Sequence, residues 1–201
     1  MKIRRSLTTT FPQRGLVRSD TSGFTVSELL VAICILGILA AIAIPGFSQW
    51  TPTMNLKSDV RNLKADIELS RLRAIKENEH IGLSFDTANN QYIVFVDNGD
   101  GSGGVARDGI HNGTERVLKT VTIADGVTLY EASFAGGVPR FRFDSQGIPA
   151  GLDGTAGNDY VHMRNNNGLY RGISLSLLGH PQIEESTDGG TNWNEVDYDR
   201  R

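Results

Sequence analysis

One acidic side chain lies at the start of an uncharged stretch unlike any other in the sequence. Glu28 directly precedes residues 29–45, which contain no polar side chain over 17 positions. A carboxylate inside lipid costs a few kcal/mol unless it is paired or near the interface, so an acid in an apolar helix indicates a functional site. An acid in the first turn also offsets the helix dipole. That alternative explains why Glu28 is tolerated, but not why it adjoins the apolar run.

A second group of acids lies in a segment rich in Gly, Asp and Asn. Asp97, Asp100 and Asp108 are candidate calcium ligands, because hard cations bind clustered carboxylate and carbonyl oxygens. Their spacing does not match an EF-hand loop, and a hairpin loop with favourable turn chemistry explains the same composition. The single cysteine, Cys34, and the four histidines provide no zinc spacing. We therefore predict no bound metal or cofactor, with calcium at this loop as the alternative.

The other titratable residues do not form a catalytic arrangement along the sequence. The histidines have no obvious nucleophile as a partner, and the acids lie mostly in turns or on one helix face. An enzyme is therefore not expected. A membrane-anchored periplasmic enzyme is the alternative class, and hydrolytic activity would reveal it. The histidines are His80, His111, His162 and His180.

The apolar run is long enough to position Glu28 at a membrane surface. Residues 24–45 as a helix would measure about 33 Å, against roughly 30 Å for the hydrocarbon core of a bilayer. A buried core helix and a cleaved secretory signal are the alternatives. The run exceeds the usual apolar region of a secretory signal, and no small-residue cleavage pattern follows it. We therefore predict one retained transmembrane helix.

The residues around this helix resemble the class III signal of type IV prepilins and type II secretion pseudopilins. A basic leader, Gly23, Phe24, Glu28 and an apolar helix follow one another in that order. The resemblance implies that prepilin peptidase cleaves between Gly23 and Phe24 and methylates the new amine of Phe24. It also implies that Glu28 pairs with the N-terminal amine of a neighbouring subunit. Pilin-like proteins have a proline at the position of Pro45, where we predict a helix kink.

The charge distribution predicts the orientation of the chain. The leader, residues 1–23, has a net charge of +4, so the remaining chain carries −7 of the total of −3. Positive loops tend to stay in the cytoplasm, which places the C-terminal domain in the periplasm and the helix in the inner membrane. An acidic domain is a poor binder of nucleic acids, whose affinity depends on Lys and Arg. The charged leader residues are Lys2, Arg4, Arg5, Arg14, Arg18 and Asp20.

The sequence after the apolar run predicts a pilin-like α+β architecture. Apolar residues recur at helical spacing from Leu56, with charges between them, so an amphipathic helix is expected to end near Asn78. Pro45 and Pro52 indicate a bend or a partly unwound stretch before it. The apolar stripe comprises Leu56, Val60, Leu63, Ile67 and Ala74, widened by Leu69, Leu72 and Ile75.

Strand-like segments follow, and their alternation indicates antiparallel sheet with one buried face. Phe141 and Phe143 form one such face, and Ile173, Leu175 and Leu177 another. Packing this sheet on the amphipathic helix buries both apolar surfaces. The predicted strands are 80–85, 91–96, 116–123, 127–134, 140–144, 159–164, 170–178 and 181–185. The predicted divisions are a leader (1–23), a transmembrane and assembly helix (24–50), an amphipathic helix (51–79), a β-rich periplasmic domain (80–185) and a polar tail (186–201).

Four segments of the soluble part resemble the GspH/FimT branch of this superfamily: residues 70–78, 95–101, 141–147 and 172–179. The resemblance implies a minor pseudopilin that assembles with other (pseudo)pilin subunits and the inner-membrane assembly platform into a periplasmic pseudopilus for type II secretion. The alternative is a FimT-like minor pilin of type IV pili that takes part in DNA uptake.

The motif associated with DNA binding in that branch is missing its basic residues. The resemblance implies a Gly-Arg-x-Arg pattern, but this chain has Gly179, His180, Pro181 and Gln182 at that place. Without these arginines the phosphate contacts that supply affinity are lost, so nucleic-acid binding is not expected. The alternative is another basic patch on neighbouring strands, formed by Arg140, Arg142, Arg164 and Arg171.

Overall fold

A computed structural model describes residues 23–99, 105–152 and 158–196 of the chain. The chain divides into two compact units, Met1–Ala43 and Ile44–Arg201. The predicted leader up to residue 22, the calcium candidate Asp100 and the end of the predicted tail from residue 197 lie outside the described residues.

One α-helix, α1 (Val26–Glu77), includes residues of both units. It ends one residue before the predicted Asn78, which adopts a left-handed conformation with φ of 54°. The Glu79 amide then donates to the Ala74 carbonyl at 3.2 Å, the bond pattern that closes many helix C-termini. The chain is helical at both Pro45 and Pro52, so the stretch between them is not unwound. A kink at Pro45 stays a prediction.

Within the first unit, the apolar side chains of the helix are exposed on every side. Eleven large hydrophobic residues between Phe24 and Ile42 each expose more than half of their surface. Within residues 23–99, 105–152 and 158–196, no helix combines the length and apolar content needed to cross a membrane.

The described residues of the second unit form ten strands in two antiparallel sheets. The strands are β1 (Ile81–Asp86), β2 (Gln91–Val96), β3 (Val117–Thr122), β4 (Val127–Ser133), β5 (Arg140–Phe143), β6 (Pro149–Ala150), β7 (Tyr160–Asn165), β8 (Tyr170–Leu175), β9 (Pro181–Ser186) and β10 (Asn194–Glu195). The first sheet has the order β3-β2-β1-β5-β6 and the second the order β10-β9-β8-β7-β4. The eight predicted strands are confirmed with small changes at their ends, and β6 and β10 were not predicted. The α+β prediction is confirmed, with two sheets in place of one.

The core of the second unit lies between α1 and the two sheets. The predicted stripe from Leu56 to Ala74 is confirmed, since each of its five residues is at most 1% exposed. The widening of that stripe was wrong, because Leu69, Leu72 and Ile75 are 58%, 63% and 49% exposed. Leu69 lies two residues after Ile67, which is about 200° around the helix and away from the core.

The sheet residues mostly follow their predicted faces. Phe141, Phe143, Ile173 and Leu175 are buried, as the alternation indicates. Leu177 is 61% exposed, so its predicted burial was wrong. The reason is that β8 ends at Leu175 and Leu177 lies in the following turn, where strand alternation no longer applies.

Two polar side chains, Asp66 and Asn90, connect the elements of this unit to one another. Asp66 of α1 accepts hydrogen bonds from the Tyr92 hydroxyl at 2.6 Å and from Lys119 Nζ at 2.7 Å. Burial raises the pKa of the Tyr92 hydroxyl, and the hydrogen bond to Asp66 adds to that effect. Asn90, in the turn between β1 and β2, donates to the Val127 carbonyl at 2.9 Å and accepts from the Leu129 amide at 2.7 Å. The Asn90 side chain therefore bonds a turn of the first sheet to β4 of the second.

Candidate functional site

The first turn of α1 is closed by a reciprocal pair of hydrogen bonds. Glu28 Oε2 accepts from the Thr25 amide and from Thr25 Oγ1, both at 2.9 Å, and the Glu28 amide donates to Thr25 Oγ1 at 3.2 Å. This arrangement is a capping box, in which a Thr at the N-cap and a Glu three residues later satisfy each other's backbone amides. Glu28 therefore fixes where the helix begins, in addition to any role outside the chain.

Sequence reasoning missed Thr25 as a part of this site. The signal was available, because Thr25-Val26-Ser27-Glu28 has the spacing of a capping box just before an apolar run. The alternative explanation of Glu28, an acid that offsets the helix dipole, depends only on its charge and therefore predicts no hydrogen-bond partner.

The peptide bond between Gly23 and Phe24 is accessible. Both residues are exposed, Phe24 at 89%, and the helix begins only at Val26. A methyl group built on Gly23 would have no other atom within 4 Å. The described structure therefore places no obstacle around this bond, and Gly23 is not required there by local packing.

The two oxygens of Glu28 are used unequally. Oε2 accepts both bonds from Thr25, and Oε1 takes part in none of the hydrogen bonds that the described residues make with Glu28. A carboxylate with one oxygen turned to its own helix can still accept a donor from outside with the other.

The acids of the Gly/Asp segment organise a loop through backbone amides. Asp97 is fully buried and accepts from the Arg107 amide at 2.7 Å and the Gly109 amide at 2.9 Å. Asp108 accepts from the Ile110 amide at 2.8 Å. In the described part of the chain, no three His, Cys, Asp or Glu side chains are grouped to hold a metal ion. Calcium binding that involves Asp100 stays untested.

Sequence reasoning also missed Glu115 in this loop. Its carboxylate is 4% exposed and accepts from the Gly99 amide at 2.8 Å and the Asn112 amide at 3.0 Å. The Glu115–Gly99 contact spans sixteen residues, so local turn patterns carry no signal for it.

The basic patch considered on the strands is divided between the two sheets. Arg140 and Arg142 lie on β5 of the first sheet. Arg171, on β8, pairs with Glu185, and Arg164, on β7, lies 5.7 Å from the centre of the Tyr130 ring. The four arginines therefore do not form one row along neighbouring strands.

His162 is held by packing and hydrogen bonding within the second sheet. Its ring stacks on Trp193 at 3.6 Å and on Tyr160 at 4.1 Å between centroids, and Nε2 lies 2.8 Å from Glu184 Oε1. Gly172 lies opposite on β8, where a methyl group would come within 2.4 Å of the imidazole. These contacts join the segment that contains Trp193 to the sheet and include no Ser, Thr or Cys nucleophile.

The sequence profiles of two protein families match the two parts of this arrangement. A prokaryotic N-terminal methylation motif matches residues 18–44, the region of Gly23, Phe24 and Glu28. Such a motif followed by an α+β domain defines a pilin-like subunit. The profile of type II transport protein GspH matches residues 59–179, more than half of the chain. The chain belongs to the GspH family, as the resemblance implied.

Individual relatives agree with this class. Over 76 residues the chain is 36% identical to the pilin-like protein PilA1 of Thermus thermophilus, covering 37% of this chain and 47% of the relative. Over 84 residues it is 37% identical to a fimbrial protein of Pseudomonas aeruginosa, covering 40% and 54%. The chain thus spans about half the length of the curated relatives it matches.

Among solved structures, the chain is similar to two minor subunits of the same class. The type IV minor pilin FimU of Pseudomonas aeruginosa has a TM-score of 0.48 and 18% identity, covering 70% of this chain and 98% of FimU. The minor pseudopilin EpsH of the Vibrio cholerae type 2 secretion system has a TM-score of 0.44 and 12% identity, covering 66% and 97%.

Proposed function

We propose that this chain is a minor pseudopilin, processed by prepilin peptidase and assembled into a periplasmic pseudopilus for type II protein secretion. One observation carries the proposal. An exposed Gly23–Phe24 bond lies immediately before a helix that is capped by Glu28 and followed by exposed apolar side chains.

Processing is supported by the access to the cleavage point. Glycine lets a peptidase approach the backbone closely, and the described neighbours of Gly23 leave the bond open. The new amine would belong to Phe24, which the motif marks for N-methylation. The partner in this step is the prepilin peptidase.

Assembly is supported by two features of the first unit, a Glu28 oxygen outside the capping box and the exposed apolar side chains of the helix. Glu28 Oε1 takes no part in the hydrogen bonds of the capping box and would accept the Phe24 amine of a neighbouring subunit. The exposed apolar residues would pack against equivalent helices of other (pseudo)pilin subunits on the inner-membrane assembly platform. Helices can pass from lipid to such a bundle without exposing apolar surface to water.

The proposed location follows from the charge pattern and the motif. The basic leader stays in the cytoplasm, residues 24–45 anchor the chain once in the inner membrane, and the β-rich domain lies in the periplasm. No reaction is assigned to the chain, because subunits of this family have a structural role.

The cleavage proposal is tested by the mass of the mature N-terminus. We expect loss of residues 1–23 from the wild type in the presence of a prepilin peptidase, and strongly reduced loss from Gly23→Ala. Gly37→Ala is the matched control, because a methyl group at Gly37 also meets no atom within 4 Å. A wild-type chain that keeps its leader beside an active peptidase would refute the proposal.

The assembly role of Glu28 is tested by two substitutions that separate charge from capping. Gln at the third helical position can still close a capping box, whereas Ala cannot. We expect Glu28→Gln and Glu28→Ala to be processed normally and both to be absent from filaments, as measured by immunoblotting of sheared fractions. Ser27→Ala is the neighbouring control. Normal incorporation of Glu28→Gln would remove the carboxylate charge from the mechanism.

The alternative, a FimT-like minor pilin in DNA uptake, has weaker support. The two arginines of its motif are absent, and the four strand arginines are divided between two sheets. A salt-dependent mobility shift of DNA by the full chain would favour it.

A further inference from the structure

We propose that a notch on the first sheet binds a carboxylate side chain of a protein partner. The notch is a cavity of about 110 Å³ beside β5, and we call it the cationic notch because two arginines of β5 contribute to its walls. This proposal goes beyond the filament role and does not depend on it. The cavity is lined by Asp108, Gly109, Val138, Arg140, Phe141, Arg142, Ala150 and Gly151.

The side chains of Arg140 and Arg142 have N–H donors that no described acceptor uses. Arg140 and Arg142 alternate with the buried Phe141, so both project from the same face of β5. Among the described residues, the Arg140 side chain makes no hydrogen bond or ion pair. Arg142 donates through Nη1 to the Arg107 carbonyl, but its Nε is buried without a hydrogen-bond partner. A buried charged donor without an acceptor is unfavourable, and an incoming anion would satisfy it.

The nearby acids are engaged with backbone amides instead. Asp97 accepts two amides, and Asp144 Oδ1 accepts from the Gln146 and Ile148 amides at 2.9 Å and 2.8 Å. Asp108, which lines the cavity, accepts from the Ile110 amide and from Asn112 Nδ2 at 3.1 Å. Within the described ranges, no ion pair joins these carboxylates to the arginines of the notch.

The arginines of this region also act on His80, which directly precedes β1. Burial lowers the pKa of His80, and the charges of Arg107 and Arg142 lower it further, ahead of the opposite effects of Asp97 and Asp144. Its Nδ1 atom is also buried without a partner. At His80, the charges of Arg107 and Arg142 therefore outweigh those of Asp97 and Asp144.

The size and chemistry of the notch favour a protein carboxylate over nucleic acid. A guanidinium presents a planar fork that matches a carboxylate through two parallel hydrogen bonds. The cavity accommodates one such group, whereas DNA binding requires a row of phosphate contacts. The chain after the leader carries a net charge of −7, which disfavours an extended polyanion such as DNA but lets a short acidic segment place one carboxylate in a local basic site.

The test uses the full chain in detergent and a hexaglutamate peptide, with hexaglutamine as the uncharged control. Calorimetry should show binding of hexaglutamate alone, weakened about 10- to 100-fold by Arg140→Gln, the range expected for a lost charge-assisted hydrogen bond. Arg164→Gln, an arginine on β7 of the second sheet, should leave the affinity unchanged. Histidine NMR should show that the peptide raises the pKa of His80, because a bound carboxylate offsets Arg107 and Arg142.

Arg140→Gln is the first variant because no described contact of the fold depends on that guanidinium, and its melting temperature checks the fold. Arg140→Lys, which keeps the charge and loses the fork, should bind with intermediate affinity. Absence of hexaglutamate binding, or equal affinity of wild type and Arg140→Gln, would overturn the proposal. Stronger notch-dependent binding of inorganic phosphate or a DNA duplex would overturn it too. Binding that begins only after Asp100→Asn would show that the chain's own carboxylate is the occupant and would also overturn the proposal.

Discussion

Similar aliphatic side chains are exposed in the first unit and buried in the second. In the first unit Leu36 and Ile38 are each 63% exposed, whereas Leu63 and Ile67 of the second unit are completely buried. All four residues belong to α1. The second unit supplies its own covering from two sheets, but the described residues of the first unit supply none. Apolar surface of this extent indicates a membrane or a protein interface. The exposed apolar side chains of the first unit are therefore a candidate interface.

The sharpest test of this difference is a matched pair of Leu→Ala substitutions on α1. Leu63→Ala should lower the free energy of unfolding of the β-rich domain by about 2 to 5 kcal/mol, because it leaves a cavity in a packed core. Leu36→Ala should change it by less than about 0.5 kcal/mol, as an exposed substitution does. Denaturant unfolding of the full chain in detergent, followed by near-UV circular dichroism, measures both. Equal losses of unfolding free energy in the two variants would show that Leu36 and Leu63 are packed alike.

A smaller effect is expected at the polar attachment of helix to sheet. Asp66→Ala should destabilise the domain by about 1 to 3 kcal/mol, because the buried Tyr92 hydroxyl loses its acceptor. Glu68→Ala, exposed on the same helix, is the control and should be close to neutral. The same unfolding measurement applies. A neutral Asp66→Ala would mean that water replaces the carboxylate without cost.

The corresponding polar contact of the first unit should act only locally. Thr25→Ala removes the N-cap side chain and should cost the first turn about 1 kcal/mol. We expect faster amide hydrogen exchange at residues 25–29 and no change in unfolding of the β-rich domain. A loss of domain stability would show that the two units are coupled through the helix.

The smallest expected effect is a pH dependence from His80. Its pKa lies below the ordinary value of 6.5, so the unfolded chain binds a proton at higher pH than the folded protein does. Stability should therefore decrease as the pH falls below about 6.5 towards the lowered pKa. His80→Gln should flatten this part of the profile of unfolding free energy against pH. Parallel profiles for variant and wild type would contradict the assignment.

Local patterns in the sequence predicted the helix and most strands. The stripe from Leu56 to Ala74 follows the helical period, so its buried face could be identified without a structure. Leu69 and Leu72 were wrongly assigned to the buried face because they are three residues apart, a spacing typical of one helix face. Each lies two residues from a buried position, Ile67 or Ala74, and therefore points away from the core. Thr25 was missed despite a complete capping-box pattern, because the charge of Glu28 also explains its place in the first turn and requires no hydrogen-bond partner.

Contacts between distant segments could not be predicted in the same way. Alternation shows which face of a strand is buried, but not which strand is its neighbour, so the division into two sheets was not foreseen. β4 pairs with β7 rather than with a strand next to it in the sequence. The Glu115–Gly99 bond and the link from Asn90 to β4 likewise depend on the folded chain. Strands of two residues, such as β6 and β10, are too short to show any period.

In the proposed assembly, the position of the capping box has a consequence for the order of events. The bond between Gly23 and Phe24 lies one residue before the N-cap Thr25. Its hydrolysis would create an ammonium group at the positive end of the helix dipole, where a cation is repelled. Proteolysis would thus convert a neutral stretch of backbone into an electrostatically frustrated terminus. The trimmed subunit, unlike its precursor, would gain free energy by presenting that terminus to the carboxylate of another copy.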